Sequence, residues 1–346
     1  MGKACHPCFQ LEVHVDIKQP YLLFLGDAAD QLAAKTAQGI AQWRPSWCLG
    51  QLRLPGCNAD LGLTDMTIEQ AAKAGIKTVI LGVANRGGVI SKAWIDILVK
   101  ALDLGMDLAS GLHNKLTDIP EVVAAAKRNG RSLFDVRHPD REFEVGSGKK
   151  RSGLRLLAVG TDCSVGKMYT TLALEKELLA RKRKATFRAT GQTGIFIAGS
   201  GVSIDAVVAD FISGAVEYLS PENEPDHWDL VEGQGSLFHA SFAGVTIGLI
   251  HGAQPDALVL CSEPGRAHMR GLPHYQLPDL KTCIEANLTA ARLTNPNVKF
   301  IGTSFNTKNL SKADAERALK SAEDLLGVPA VDPLTTGVGK LADQLW

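Results

Sequence analysis

The sequence predicts an α/β protein in two parts: an N-terminal Rossmann-like open sheet, then a P-loop NTPase-like doubly wound parallel sheet. Three observations carry this. Short apolar runs alternate with helical stretches through the first part of the chain. A charged, glycine-bearing stretch, Asp140–Ser152, interrupts the pattern. The pattern then restarts at Leu154–Val159, which opens directly into Gly160-Thr161-Asp162-Cys163-Ser164-Val165-Gly166-Lys167. The 346 residues divide accordingly into a leader over 1–20, expected to be poorly ordered, a Rossmann-like domain over 21–139, a linker over 140–152 and a P-loop domain over 153–346.

Unbroken apolar runs mark strands covered on both faces, as parallel strands are. In the first half Tyr21–Leu25, closed by Gly26-Asp27, is such a run and Thr78–Val83 reads as a second buried strand; Met106–Ser110, ending at Gly111, and Ser132–Val136 are expected as the third and fourth strands. Helical composition lies between them at Ala28–Gln42, Ser91–Leu104 and Pro120–Asn129. In the second half, strands are predicted at Leu154–Val159, Ala185–Arg188, Asp229–Val231, Ala257–Leu260 and Val298–Thr303. Lys167–Lys182 reads as an amphipathic helix, and Lys312–Leu326 as a helix entered through Ser311 as N-cap. The apolar run between Asp205 and Asp210 suits a Walker-B-like strand or a helix.

Lysine plus arginine number 37, and aspartate plus glutamate also 37, so nothing in the charge balance calls for nucleic acid or an anionic membrane. A small acidic metabolite is not excluded by this balance, because a local basic pocket needs no global bias. The basic run Lys149-Lys150-Arg151 is expected to be a solvated connector. Seven cysteines, odd in number and widely spaced, point to a reducing cytoplasm. No run has the length of a membrane span or the form of a signal peptide. Cys5-His6-Pro7-Cys8 has ligand-like spacing without a second pair, which argues against zinc.

Gly160–Lys167 points at a phosphate. Glycines let successive backbone N–H groups converge, the following helix adds its positive dipole end, and Lys167 adds a full charge. Five residues separate the glycines, one more than in the usual P-loop. The next position, where an NTPase needs a hydroxyl for Mg²⁺, holds Met168, followed by Tyr169 and Thr170. A thioether is a poor ligand for so hard a cation. The loop, from Gly160 through Tyr169, is therefore expected to hold the diphosphate of a cosubstrate that undergoes no phosphoryl transfer.

The P-loop itself resembles that of dethiobiotin synthetase and its relatives. A longer resemblance runs through Tyr21–Asp27, Trp47–Gly56, Gly111-Leu112-His113, Phe134-Asp135-Val136-Arg137, the P-loop, Phe187–Gly194, Val207–Gly214, Val231–His239 and His251–Leu260. In these segments the chain is similar to the D-glutamate N-acetyltransferase family, long catalogued as a domain of unknown function. That resemblance implies acetyl transfer from acetyl-CoA to the amino group of D-glutamate, with no obligatory metal. Coenzyme A carries an adenosine diphosphate moiety that a P-loop can cradle. A homo-oligomer is expected from the habits of related P-loop proteins. The alternative is an ATP- and Mg²⁺-dependent ligase or carboxylating enzyme of the dethiobiotin synthetase type, with Thr170 replacing the missing hydroxyl. A nucleotide-binding regulatory protein without turnover is the third reading.

The chemistry is expected at strand ends, where open α/β sheets bind ligands. Glu232, closing Trp228–Val231, is the first candidate for the base that deprotonates the attacking amine, and His239 the second. Asp205 is a further catalytic candidate. Gly233 and Gly235 offer N–H groups to a polarised carbonyl. Arg188 and Gln192, in Phe187–Gly194, and Arg266, past the strand Ala257–Leu260, are candidates for holding substrate carboxylates. Cys163 is expected to be a small filler rather than an acyl-accepting nucleophile, since no histidine is near it in sequence. Asn85, Arg86 and His113 have claims on a cleft between domains, with domain packing as the default role.

Overall fold

The computed structural model describes residues 17–83, 90–139 and 141–346, and they form two all-parallel sheets covered by helices. The N-terminal sheet holds β1 (Tyr21–Gly26), β2 (Cys48–Arg53), β3 (Thr78–Leu81), β4 (Asp107–Ser110) and β5 (Leu133–Asp135), in the order β2-β1-β3-β4-β5. Every residue of β1, β3 and β4 is buried; β1 reads as an unbroken apolar run for that reason, while β4 also buries Asp107 and Ser110, which accept from the Ser132 and Leu112 N–H groups. The helices are α1 (Lys35–Trp43), α2 (Ile68–Lys73), α3 (Lys92–Asp103) and α4 (Pro120–Asn129). Ser91 caps α3 through the Trp94 N–H, and Thr67 with Gln70 makes a capping box for α2.

Three local expectations change. The helix expected from Ala28 begins only at Lys35, because the preceding residues turn, with the Asp30 carboxylate accepting from the Ala33 N–H at 2.8 Å. Ordered packing starts before Tyr21: Ile17 is buried, and the Lys18 carbonyl accepts from the Thr78 hydroxyl at 2.7 Å. Edge strand β2 escapes the pattern because Gly50, Gln51 and Arg53 break its apolar run, and pairing with β1 forms it. The readings placed on residues 1–16 and on Asn85 and Arg86 lie outside the described residues.

The second sheet holds β6 (Leu154–Gly160), β7 (Ala185–Arg188), β8 (Trp228–Val231), β9 (Ala257–Ser262), β10 (Lys299–Phe305) and β11 (Ala330–Val331), in the order β11-β10-β9-β6-β8-β7. Its helices are α5 (Lys167–Ala180), α6 (Gln192–Ala198), α7 (Ile212–Leu219), α8 (Ala243–Ala253), α9 (Leu280–Arg292), α10 (Lys312–Leu326) and α11 (Gly339–Ala342). The chain leaves β6 toward β7 and β8 on one side, then crosses to β9, β10 and β11 on the other. β6 is thus the topological switch point, the place where such sheets bind ligands. Helix α5 is not a simple amphipathic surface helix: Thr170, Thr171, Leu172, Ala173 and Leu174 are buried in succession. Asp205 and Asp210 sit in two short 3-10 turns, Ile204–Ala206 and Ala209–Phe211, not in a strand or a helix spanning both.

The two sheets share apolar packing. Phe187, Ala189, Ile195, Phe196 and Ile197 of the P-loop domain belong to the same core cluster as Phe24 and Ile80 of the first sheet. Burying each large apolar side chain contributes roughly 1.5–3 kcal/mol, so α6 alone anchors the domains firmly. Residues 141–153 are also less free than a linker. The Ser147 and Gly148 N–H groups donate to Glu217 of α7 at 2.9 Å, and Phe143 packs on Tyr218. Arg151, expected in solvent, is buried and donates to the Gly252 carbonyl at 2.6 Å. A Cβ on Gly214 would stand 1.8 Å from the Glu144 carbonyl oxygen. Gly214→Ala should therefore destabilise the fold by on the order of 2–4 kcal/mol. Thermal unfolding checks this against Gly244→Ala, whose Cβ meets nothing within 4 Å and which should stay within about 1 kcal/mol of the parent.

Candidate active site

The C-terminal edges of both sheets open into one cleft of about 1580 Å³, larger than the roughly 300–1,000 Å³ of an ordinary small-ligand pocket. Each strand of the second sheet delivers a residue to it: Lys167 after β6, Gly191 after β7, Glu232 after β8, Glu263 after β9, Asn306 after β10 and Asp332 after β11. The first sheet contributes Lys35 after β1 and Arg137 after β5.

The P-loop wraps the switch point. Ser164 and Gly166 both take positive φ, 54° and 105°, which turns the loop onto the first residue of α5. Lys167 is buried, and its ammonium donates to the carbonyls of Asp162 at 2.9 Å and Gly235 at 2.8 Å. Burial lowers its pKa, while nearby Asp162 and Glu232 oppose that shift. Room for Lys167 depends on Gly233, where a Cβ would come within 1.7 Å of the Ala158 carbonyl oxygen and 2.9 Å of Lys167 Cδ.

Glu232 is 5% exposed, and its carboxylate accepts from the Thr190 N–H at 2.9 Å and the Gly191 N–H at 3.2 Å. Burial pushes its pKa up to about 7, against the lowering effect of those two N–H groups and of Lys167. A carboxyl poised there can take a proton at neutral pH.

His239 is buried and held at both ring nitrogens. Nδ1 accepts from the Ser241 N–H at 3.1 Å, so Nε2 carries the proton it donates to the Arg270 carbonyl at 3.1 Å. Asp162 holds the same residue from the other side: its carboxylate accepts from the Arg270 N–H at 2.8 Å and from the Arg266 guanidinium at 2.6 Å. Asp162, Cys163 and His239 bring ligand-type atoms within 4.8 Å of one another. The Asp162 carboxylate is neutralised by arginine and both His239 nitrogens are engaged, a donor set ill suited to a cation. Sequence distance misled on one point, because His239 does lie beside Cys163. The Cys163 thiol is nevertheless pushed up by burial, despite the opposing Lys167 charge.

Residues 144–342 match the sequence profile described as the P-loop domain of DUF1611, a domain of unknown function, and residues 52–139 match the Rossmann-like domain of that family. The chain belongs to the DUF1611 family. It is 57% identical over 329 residues to a D-glutamate N-acetyltransferase of Tritonibacter scottomollicae, across 95% of this chain and 99% of that protein. It is 52% identical over 331 residues to a D-glutamate N-acetyltransferase of a Pseudoalteromonas species, across 96% and 100%. A solved DUF1611 family protein from Anabaena variabilis superposes with a TM-score of 0.84 at 30% identity, covering 94% of this chain and 99% of that one.

Within this DUF1611 fold the remaining candidates separate. Gln192 lines the cleft, and its amide oxygen is buried without a hydrogen-bond partner among the described residues, pressed against Gly111 of the first domain. Asp205 also lines the cleft, bound to the Arg137 guanidinium across the domains and to the Ser203 hydroxyl at 2.9 Å. Arg266 reaches the cleft wall, but its donors go to Asp162, Glu263 and the carbonyls of Cys163 and Ser164, strapping the P-loop. Arg188 turns away from the cleft to Asp229 at 2.8 Å on the neighbouring strand. Met168 and Tyr169 both line the cleft; Met168 also packs, partly buried, against the shared core, and Tyr169 donates to Gln42 of α1 at 3.0 Å. The Thr170 hydroxyl is fully buried between Gly166, Cys261 and Ser304, 2.7 Å from the last. His113 is exposed, with its carbonyl oxygen 3.0 Å from His138 Nε2. The pattern reading overlooked Lys35, Gln38 and Gln42, a polar i, i+3, i+7 stripe of α1 that faces the cleft, and also Arg270. The stripe is visible in the sequence as a spacing; Arg270 has no local signal at all.

Proposed function

We propose that the chain is a D-glutamate N-acetyltransferase that takes its acetyl group from acetyl-CoA, with Glu232 as the base. The observation that carries this mechanism is a buried carboxyl of pKa about 7 opening into the same cleft as the P-loop. The names of relatives at 57% and 52% identity, matched over nearly their full length, support the activity and its substrate. Acetyl-CoA fits as donor because the P-loop N–H groups and Lys167 suit its diphosphate, while the wall of Asn306, Lys308, Pro333 and Leu334 leaves room for its base.

In this reading Glu232 takes one proton from the substrate ammonium and passes it to solvent. The neutral amine attacks the thioester carbonyl carbon, forming the C–N bond. Collapse breaks the C–S bond, and the second nitrogen-borne proton neutralises the departing thiolate. His239 is poorly placed to compete as base, since both its nitrogens hold backbone groups. The ligase alternative finds little support at the position after Lys167: the Met168 thioether is a poor ligand for Mg²⁺ and the Thr170 hydroxyl is engaged by Gly166, Cys261 and Ser304. The odd number and wide spacing of the seven cysteines support a reducing compartment such as the cytoplasm. No helix among the described residues is long and apolar enough to cross a membrane.

Purified protein with D-glutamate and acetyl-CoA should release thiol at a rate unchanged by EDTA. Failure to release thiol, with ADP formed from ATP and Mg²⁺ instead, would overturn the assignment in favour of a ligase.

A further inference from the structure

We infer that Lys35, Arg137 and Arg270 form the subsite that holds the carboxylates of the amino-acid substrate, an inference that rests on the acetyl-transfer reading above. The three cations come from three separate elements: Lys35 opens α1, Arg137 follows β5, and Arg270 lies in the loop after β9. All three line the cleft. They are near enough that burial and the positive fields of Arg270 and Arg137 together lower the Lys35 pKa. Gathering like charges costs free energy unless an anion offsets it. Arg137 has Asp205, but among the described residues neither Lys35 nor Arg270 has an acidic partner.

Their placement is built, not incidental. The Arg270 backbone is clamped at both ends, its N–H by Asp162 at 2.8 Å and its carbonyl by His239 at 3.1 Å. Two buried polar side chains are thus used to station one arginine whose guanidinium stays uncommitted. Lys35 is tied down through its neighbour Thr36, whose hydroxyl accepts from Thr193 of α6 at 3.3 Å. Two residues before Thr193 is Gly191, whose N–H donates to Glu232. Glu232 and the helix that carries Lys35 are therefore both fastened to the N-terminal end of α6, and Glu232 lines the same cleft as the three cations. Asp162 and His239 become positioning residues rather than catalytic ones.

The chemistry favours a dicarboxylate over the phosphates of the cosubstrate. In the sheet order the nucleotide-sized wall, Asn306 to Lys308 with Pro333 and Leu334, lies on the β10–β11 side of the P-loop. Lys35 packs by way of α6, which follows β7, and Arg137 binds Asp205 just past α6, so both lie on the other side; Arg270 comes from the loop after β9 and is held across the P-loop by Asp162 and by His239, which follows β8. Arginine forks suit carboxylate oxygens in bidentate geometry, and two carboxylates account for more than one cation.

Lys35→Met and Arg270→Gln should each raise KM for D-glutamate at least tenfold and leave KM for acetyl-CoA within about twofold. The preference for D-glutamate over D-glutamine, which lacks the second carboxylate, should shrink at least tenfold, and Arg270→Lys should recover part of the loss. A rise in KM for acetyl-CoA alone would assign the cluster to the cosubstrate and overturn the inference. So would an unchanged KM for D-glutamate in all three variants; because Arg270→Lys preserves charge and size, a failure of Lys35→Met to fold leaves the Arg270 pair decisive. A wild-type protein that does not acetylate D-glutamate would instead sink the underlying assignment.

Discussion

Glu232→Gln should lower kcat by about 10²–10⁴-fold and leave KM for acetyl-CoA nearly unchanged. The amide is isosteric, and its oxygen can still accept from the Thr190 and Gly191 N–H groups, so the site keeps its shape and loses its base. In the parent protein only the ionised carboxylate can take a proton. With its pKa pushed up to about 7, kcat should fall about tenfold per pH unit below pH 7, and that limb should vanish in the variant. Stability moves the opposite way. The folded protein keeps the Glu232 proton to about pH 7 while the unfolded chain loses it near 4.5, so the protonated carboxyl's contribution is lost as pH rises across that window. Above it, the ionised group sits in a site that disfavours charge, at a cost of on the order of 1–3 kcal/mol. Glu232→Gln should therefore melt higher than the parent at pH 8 and at about the same temperature at pH 4. A kcat loss under tenfold, or a surviving acid limb, would remove Glu232 from the chemistry.

What was legible in the sequence and what was not follows from how local each signal is. β1 and β3 are covered on both faces, so their apolar residues stand out; β2 and two-residue β11 are edges formed by pairing, with no pattern of their own. The P-loop could be read because strand, glycines, lysine and helix are consecutive. Glu232 could be picked because strand ends point at ligands in this architecture. Arg188 satisfied the same rule, yet alternation along β7 puts Phe187 into the shared core and sends Arg188 to the opposite face, toward Asp229. Arg266 was chosen for its charge, and its charge is spent within the P-loop. Lys35, Arg137 and Arg270 lie more than a hundred residues apart in two domains, and only docking of α1 on α6 brings them to one cleft. No composition or spacing encodes that meeting.

Lys167→Met should raise the apparent KM for acetyl-CoA by about 10–100-fold, the 1.5–3 kcal/mol of a charge-assisted contact to phosphate. Methionine fills nearly the same volume beside Gly233, so the loop should persist without its charge. The sharper comparison uses acetyl-pantetheine, which carries the same thioester and no diphosphate. If Lys167 acts on phosphate, the substitution should leave the plateau rate of this short donor, measured well above pH 7, almost unchanged. If it acts at the thioester, kcat should fall equally with both donors, and the P-loop would be part of the chemistry rather than a handle. A second readout comes from Glu232, whose pKa the Lys167 charge holds down against burial. Removing that charge should move the acid limb of kcat above pH 7 with either donor. An unmoved limb together with an unchanged KM would show that Lys167 faces neither the cosubstrate nor the base, and the phosphate reading of Gly160–Lys167 would fall with it.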